Sequence, residues 1–448
     1  MNKTLETTFP NDSLPRELGD GLTLRLARVE DTEEMGQFMG RVFGGERFDE
    51  QAVVWIRSVM AEAHPIIGPS NFTLVQDTRA GKIVSAMCLI PQTWTYAGIP
   101  FGVGRPEAVA TDPAYRRRGL IRAQFEVHHA KSAALGHPVQ AITGVPWYYR
   151  QFGYEYALDL GGGATLPLAA IPGLGEGETE PYRLRVMTAG DVPFVKPLYE
   201  RDCARSLVAC PRPDWLWRHM LEFDSTNPAE AREFRIIETA EGRAVGYLKL
   251  ERDIWNDFLT VNESAVVEGQ SSRAVAPSLL RALRPIAQFE EAAQHKPIGH
   301  VRFCLGREHP LYRAIPERLK MLLPYGWYMR VVDVLAFLRH VAPALEARLA
   351  TSPLAGHSGE IKINEYTGGF RLVLEGGKLA AVEPWQRADP GKSDEDAAFP
   401  PMIFLQLLFG FRALASLRAA YPDCWAKDEA DVLLDILFPL QPSHVAPV

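Results

Sequence analysis

The chain has 448 residues, 47% hydrophobic and 23% charged, with a formal net charge of −7. That length exceeds what one core serves, so two or three domains are expected, and the acidic balance argues against a general nucleic-acid binder. Five scattered cysteines (Cys88, Cys203, Cys210, Cys304 and Cys424) with no Cys-x-x-Cys point to a reducing compartment and away from a zinc site.

In chain order, Met1 to Pro15 is polar with no apolar stretch, so no secretory signal is expected, and residues up to about Gly21 read as a loose arm. Leu22 to Val29 alternates as a strand, and Asp31-Thr32-Glu33-Glu34 starts a helix carrying Met35, Phe38, Met39, Val42 and Phe43 on one face. Ala52 to Glu62 predicts a second helix. Phe72 to Gln76 and Ile83 to Pro91 predict a strand pair. Between the helices lie Glu46, Asp49 and Glu50, either a solvated acidic loop or an attractor for a cationic substrate. Phe48 and Trp55 would line a pocket or fill core.

The chain then reaches Val109-Ala110-Thr111-Asp112-Pro113-Ala114-Tyr115-Arg116-Arg117-Arg118-Gly119-Leu120-Ile121-Arg122. Pro113 ends a strand and a helical pattern starts beyond Gly119, so the turn between them carries three arginines and a glycine. Unpaired N–H groups of a first helical turn, a glycine without Cβ and guanidinium forks suit a diphosphate. On its own such a turn also serves as a solvated basic cap. On that helix His128 and His129 read as solvated rather than as metal ligands. A short strand, Val139 to Thr143, follows, then Tyr148-Tyr149-Arg150-Gln151-Phe152-Gly153-Tyr154.

The arginine turn resembles the acetyl-CoA-binding motif of the GNAT superfamily of N-acetyltransferases, Arg/Gln-x-x-Gly-x-Gly/Ala, here Arg116-x-x-Gly119-x-Ile121, with Ile121 in place of a small residue. With the second motif it resembles the enhanced intracellular survival (Eis) subfamily, whose Tyr-x-Arg-Phe-Gly-Tyr is matched by Tyr149, Phe152, Gly153 and Tyr154, with Gln151 where the family has arginine. The resemblance implies acetyl-CoA as co-substrate and no metal. It assigns CoA binding to Val109, Ala110 and Thr111, to Arg116, Arg117, Arg118, Gly119, Leu120, Ile121 and Arg122, and to Gly144 and Val145. It makes Tyr149 the general acid and the C-terminal carboxylate, here that of Val448, the base or orienter of the amine. A phenol near pKa 10 donating to a thiolate near 8.5 works uphill by roughly 2 kcal/mol, so a strong hydrogen bond in the transition state is the expected contribution. Without the family, Tyr148, Tyr149 and Tyr154 read as a packed aromatic cluster.

Tyr182 to Asp191 repeats the pattern of Leu22 to Asp31, and Phe234 to Ile237 with Val245 to Leu248 repeats the strand pair, so a duplicated domain is inferred. Ala276-Pro277-Ser278-Leu279-Leu280 falls where the second phosphate turn is expected. It lacks Arg-x-x-Gly, so no CoA is expected there. The linker between copies is placed in Ala170 to Pro181. Beyond Tyr328, Val331 to Leu349 reads as one amphipathic helix. Glu360–Tyr366, Phe370–Glu375 and Lys378–Glu383 read as strands, and Pro401–Leu408 and Phe411–Ala420 as helices. The run Met402 to Phe411 is too short to span a bilayer. The resulting fold class is α+β: tandem GNAT-like domains at 1–165 and 166–327, the second degenerate, and a domain at 328–448 that resembles a sterol carrier protein. The function implied is acetyl transfer to a primary amine, either small and polyamine- or aminoglycoside-like or a lysine side chain. The expectation is a cytoplasmic homo-oligomer, hexameric by resemblance, with no nucleic-acid or membrane partner. The alternative is a non-catalytic lipid or small-molecule carrier acting through the C-terminal domain. No Gly-x-x-x-x-Gly-Lys-Ser/Thr, Gly-x-Gly-x-x-Gly or Gly-x-Ser-x-Gly supports another chemistry.

Overall fold

A computed structural model describes residues 14–61, 64–223, 232–251, 257–315, 319–389 and 393–445. The chain divides into two compact units, Met1–Leu158 with Trp327–Gln441, and Asp159–Gly326 with Pro442–Val448. Among the described residues no helix is long and apolar enough to cross a membrane.

The first stretch contains β1 (Arg16–Gly19), β2 (Leu22–Leu26), α1 (Thr32–Gly44), α2 (Glu50–Met60), β3 (Phe72–Asp77), β4 (Lys82–Tyr96), β5 (Ile99–Thr111), α3 (Leu120–Ala134), β6 (Val139–Ile142) and β7 (Glu155–Leu160). The loose arm expected up to Gly21 is corrected over its described end. Arg16–Gly19 pairs antiparallel with β2, because Gly19, Asp20 and Gly21 all adopt positive φ and turn the chain back. The period-two pattern of the strands then serves two helix layers. Leu74, Ala86 and Cys88 pack with α1 and α2, and Val75 and Val84 pack with Leu120 and Val127 of α3. Arg25 clamps Asp31 through two bonds of 2.7 Å, and the Arg28 N–H donates to the same carboxylate, which fixes the entry to α1.

Next come β8 (Gly163–Pro167), β9 (Tyr182–Val186), α4 (Val192–Ala204), β10 (Val208–Ala209), α5 (Asp214–Phe223), β11 (Arg232–Thr239), β12 (Ala244–Glu251), β13 (Phe258–Val266), α6 (Ser272–Gln294), β14 (His300–Phe303), α7 (Pro310–Ala314), β15 (Lys320–Leu322) and β16 (Tyr325–Val331). The helix entry is built as before: Arg185 clamps Asp191 at 2.6 and 2.8 Å, and the Thr188 N–H donates to it. The strand orders agree too. One sheet runs β2-β3-β4-β5-β6-β16-β7 inside β1, and the other runs β9-β11-β12-β13-β14-β8-β15. In each the fourth and fifth strands are parallel, and a strand distant in sequence, β16 or β8, follows them. Ala276–Leu280 is not the second strand-to-helix turn. It lies inside α6, where Pro277 is tolerated because Val275, Leu279 and Leu283 bury the helix face. The turn itself is Val267 to Ser271.

The remaining elements are α8 (Val334–His340), α9 (Ala342–Ala350), β17 (Gly359–Asn364), β18 (Gly369–Glu375), β19 (Lys378–Pro384), β20 (Ala397–Ala398), α10 (Phe404–Leu408), α11 (Leu414–Ala420), β21 (Trp425–Ala426), α12 (Asp428–Leu437) and β22 (Ser443–His444). The single helix expected over Val331–Leu349 is two. Val331 still belongs to β16, and Pro343, which lacks an N–H and clashes with the carbonyl four residues back, sits at the start of α9. The third sheet runs β19-β18-β17-β20-β21 and packs Phe370 and Phe399 against Phe404 of α10. In the tail, β22 pairs in parallel with β10. Val448 lies outside the described residues.

Candidate active site

The site begins with an irregularity in β5. Ala86 pairs with Ala110 and Cys88 with Glu107, so Ala108 and Val109 both stand opposite Met87. Ala108 takes φ +52, as a bulge requires. β5 keeps only two residue pairs with its parallel neighbour β6, Val103–Val139 and Gly104–Gln140. Past them the two strands have no further partners in each other, and a groove of about 730 Å³ lies beside the end of β5. Val109, Ala110 and Thr111 line it, as do Arg116, Arg117, Gly119, Leu120, Ile121, Arg122, Val145 and Tyr149. The structure therefore brings together eleven of the residues singled out from sequence. Arg118 and Gly144 do not line the groove. Arg118 stacks over Tyr115 at 5.1 Å, and a Cβ on Gly144 would meet only the Tyr149 hydroxyl, at 3.9 Å.

The turn is braced from behind. Asp112 accepts from the Ala114 N–H at 2.9 Å and pairs with Lys82 at 3.0 Å, while the Tyr115 hydroxyl donates to Asp77 at 2.8 Å. Arg117 at φ +64 and Gly119 at φ +76 take left-handed conformations, and helix α3 starts with no side-chain cap. Its first intrahelical bond runs from the Ala123 N–H to the Gly119 carbonyl, so the preceding N–H groups have no acceptor within the helix. Amides, a glycine and exposed guanidinium groups beside an apolar groove fit a diphosphate joined to a less polar arm.

A buried polar chain runs beneath the strand end. His128 Nε2 lies 2.9 Å from the Thr73 hydroxyl, which donates to Gln124 Oε1 at 3.0 Å. Gln124 Nε2 donates to Ser85 Oγ at 2.8 Å, and that hydroxyl donates to the Ala110 carbonyl at 2.8 Å, leaving Thr111 Oγ1 at 2.9 Å to donate to Ser85. His128 is thus not solvated, and His129, half-buried, lies 3.0 Å from the Tyr154 hydroxyl through its Nε2. Burial pulls His128 down to about 3 and His129 to about 4, so both are neutral at pH 7. Gln124 and His128 of α3 face this network, while Arg122 and Glu126 face water, a division that alternation alone does not reveal.

Tyr149 is 3% exposed and still lines the groove. Its ring sits edge-on to Tyr148 at 5.2 Å, Tyr328 at 5.4 Å and Phe125 at 6.0 Å. The aromatic-cluster reading and the groove reading therefore describe the same side chain. Burial, and then the charge of Glu107, push its phenol well above the ordinary value near 10. Reading the sequence missed Val42, Phe43, Tyr115, Tyr148, Gln151 and Phe152 as lining residues, the last three within the second motif. Tyr115 lies inside the quoted motif, whereas Val42 and Phe43 reach the groove only through the path of α1. Glu46, Asp49 and Glu50 do not line it, and Asp49 caps α2 by accepting from the Gln51 and Ala52 N–H groups.

The second unit carries a groove of about 460 Å³ at the corresponding place, lined by Val266 and Val267 at the end of β13, by Glu268, Gly269 and Gln270 of the turn, and by Ser272 of α6. Here the turn has a carboxylate where the first has arginines, and the Ser271 hydroxyl caps the helix.

The chain was compared with known proteins. No curated protein matches it in sequence. Among solved structures it is similar to a protein of unknown function from Enterococcus faecalis described as a probable N-acyltransferase (15% identity, TM-score 0.66, 95% of this chain and 99% of that one). It is also similar to a GCN5-related N-acetyltransferase from Kribbella flavida (19%, 0.60, 94% and 97%) and to an Eis protein from Mycobacterium abscessus (16%, 0.59, 94% and 99%). At these identities the likeness shows the fold. The family model described as Acetyltransferase (GNAT) domain matches residues 23–157, a span that holds the bulge, the arginine turn and Tyr149, so the chain carries a GNAT domain and is an acyl-CoA-dependent acetyltransferase.

Proposed function

We propose that the protein transfers acetyl from acetyl-CoA to a primary amine by direct attack within a ternary complex. The observation that carries this reading is the single groove shared by the arginine turn, the bulged strand end and Tyr149. In the proposed reaction the turn binds the diphosphate, and N–H groups at the Ala108–Val109 bulge face the thioester oxygen as it gains charge. The amine lone pair attacks the thioester carbon, the C–S bond breaks, and the sulfur leaves as thiolate. Tyr149 donates a hydrogen bond to it. Because burial holds that phenol above its ordinary value, full transfer of its proton is uphill, and the thiolate takes its proton finally from solvent. The amine nitrogen loses a proton in exchange, and we assign the C-terminal carboxylate of Val448, by family resemblance, as the group that orients it.

The shared strand order and the repeated arginine–aspartate clamp support reading the second unit as a GNAT-like copy. Glu268 and the Ser271 cap support its being unable to hold CoA. The domain after β16 is proposed to correspond to the sterol-carrier-like domain of the Eis family, and the homo-oligomer is likewise carried over by resemblance. The test is acetyl-CoA turnover over a panel of amines, with Tyr149→Phe as control. Formation of N-acetyl product that falls in Tyr149→Phe supports the reading, and a fully active Tyr149→Phe enzyme removes the acid assignment.

A further inference from the structure

The groove's lining says what kind of amine it takes. Its charged side chains are Arg116, Arg117 and Arg122, and among its described lining residues there is no Asp or Glu. With a diphosphate on those arginines, the local charge is largely neutralised. The carboxylate whose charge reaches Tyr149, that of Glu107, is outside the lining and bonded to the Arg105 guanidinium at 3.0 Å, so no lining residue offers a carboxylate to a second or third ammonium of a polyamine. The groove instead exposes apolar surface from two sides. Phe43, at the end of α1, is 49% exposed, and Val145, in the segment after β6, is 54% exposed. Both neighbourhoods extend the same character. Phe48, 40% exposed, folds back over Gly40 of α1, where a Cβ would stand 2.5 Å from its ring, so only glycine admits it. Trp147, 66% exposed and held at φ +64, has the Arg150 guanidinium stacked 4.2 Å from its ring centre. Large apolar side chains left in water beside a reaction groove mark a surface that a ligand covers.

We propose that the acceptor is a monoamine carried on an apolar or aromatic body, such as an arylalkylamine, with Phe43 and Val145 as the residues that set this specificity. The inference rests on the transfer reaction proposed above. The free amine enters with its apolar body against Phe43 and Val145, its nitrogen directed to the thioester carbon beside Tyr149, and it leaves as the neutral N-acetyl amide.

The experiment uses the full-length protein, saturating acetyl-CoA, and two probes, 2-phenylethylamine and spermidine. The expected result is a kcat/KM at least about tenfold higher for 2-phenylethylamine. Phe43→Ala should raise the KM for that amine by about tenfold, and Phe43→Glu should move the preference toward spermidine. Val145→Ser, in a connecting segment, is the second variant should Phe43→Ala fail to fold, and it should raise the same KM. A preference for spermidine in the unsubstituted enzyme, or a KM ratio unmoved by both variants, overturns the proposal. So does a change in assembly mass with amine KM unchanged, which would make the rim an interface between copies. A direct titration with acetyl-CoA separates the levels. Binding with the wrong amine preference sinks only the specificity, whereas no binding sinks the transfer reading as well.

Discussion

Tyr149 is a phenol kept protonated by the packing that places it. Its raised pKa means that ionisation of Tyr149 does not switch activity off anywhere below pH 10. Tyr149→Phe keeps the ring contacts and removes the donor, so kcat should fall about 10²-fold or more with the KM for acetyl-CoA nearly unchanged, as read from initial rates. His128 has the opposite sign. Its folded value, about 3, lies below the unfolded value near 6.5, so the unfolded chain binds the proton more readily. The stability it contributes is complete above about pH 6.5 and is lost as pH falls toward the folded value. His129 and His137, each lowered to about 4 by burial, act the same way. Chemical denaturation from pH 7 down to pH 4 should show falling stability, with a shallower fall in His128→Gln.

At the scale of elements, the strand end and the turn hold the site. A Cβ on Gly119 would meet no heavy atom within 4 Å, so Gly119→Ala is limited by its φ of +76 rather than by space. It should cost about 1 kcal/mol in stability and weaken acetyl-CoA by obstructing close approach to the amides, as measured by thermal unfolding with and without ligand. Gln124→Leu cuts the polar chain under Ala110 and Thr111 and leaves Ser85 and Thr73 without that partner. It should cost about 1–3 kcal/mol and raise the KM for acetyl-CoA, although Gln124 itself is buried away from the groove. Much of this was legible in the sequence. Pro113, Gly119 and the alternation around them placed strand, turn and helix, and the two motifs named residues that do share one groove. What the sequence hid has physical causes. The bulge at Ala108 leaves no mark in residue type, because alanine adopts φ +52 without advertising it. His128 and Gln124 are polar residues spent on each other inside the core. Pro343 divides a good apolar stripe into two helices, and Ala276–Leu280, placed at the second turn by its spacing, lies inside α6 because that helix runs through Pro277. Phe43 reaches the groove only through the path of α1.

At the scale of the whole molecule, one strand order is used twice, with arginines in one turn and a carboxylate in the other. The same clamp at Asp31 and Asp191 and the same order of seven strands recur, with β16 in one sheet and β8 in the other filling the place that a sequence-local strand would take. Such an exchange cannot be read from alternation, because a strand's period says which face is buried and not which sheet receives it. The difference in the two turns, arginines in one and Glu268 in the other, predicts one acetyl-CoA per chain. The most direct test is equilibrium titration of acetyl-CoA into the full-length protein and into Arg117→Gly, which removes one guanidinium while suiting the backbone at φ +64. The account predicts a single site per chain whose affinity falls about tenfold or more in the variant. Unchanged affinity in Arg117→Gly, or two equivalent sites per chain, would contradict it.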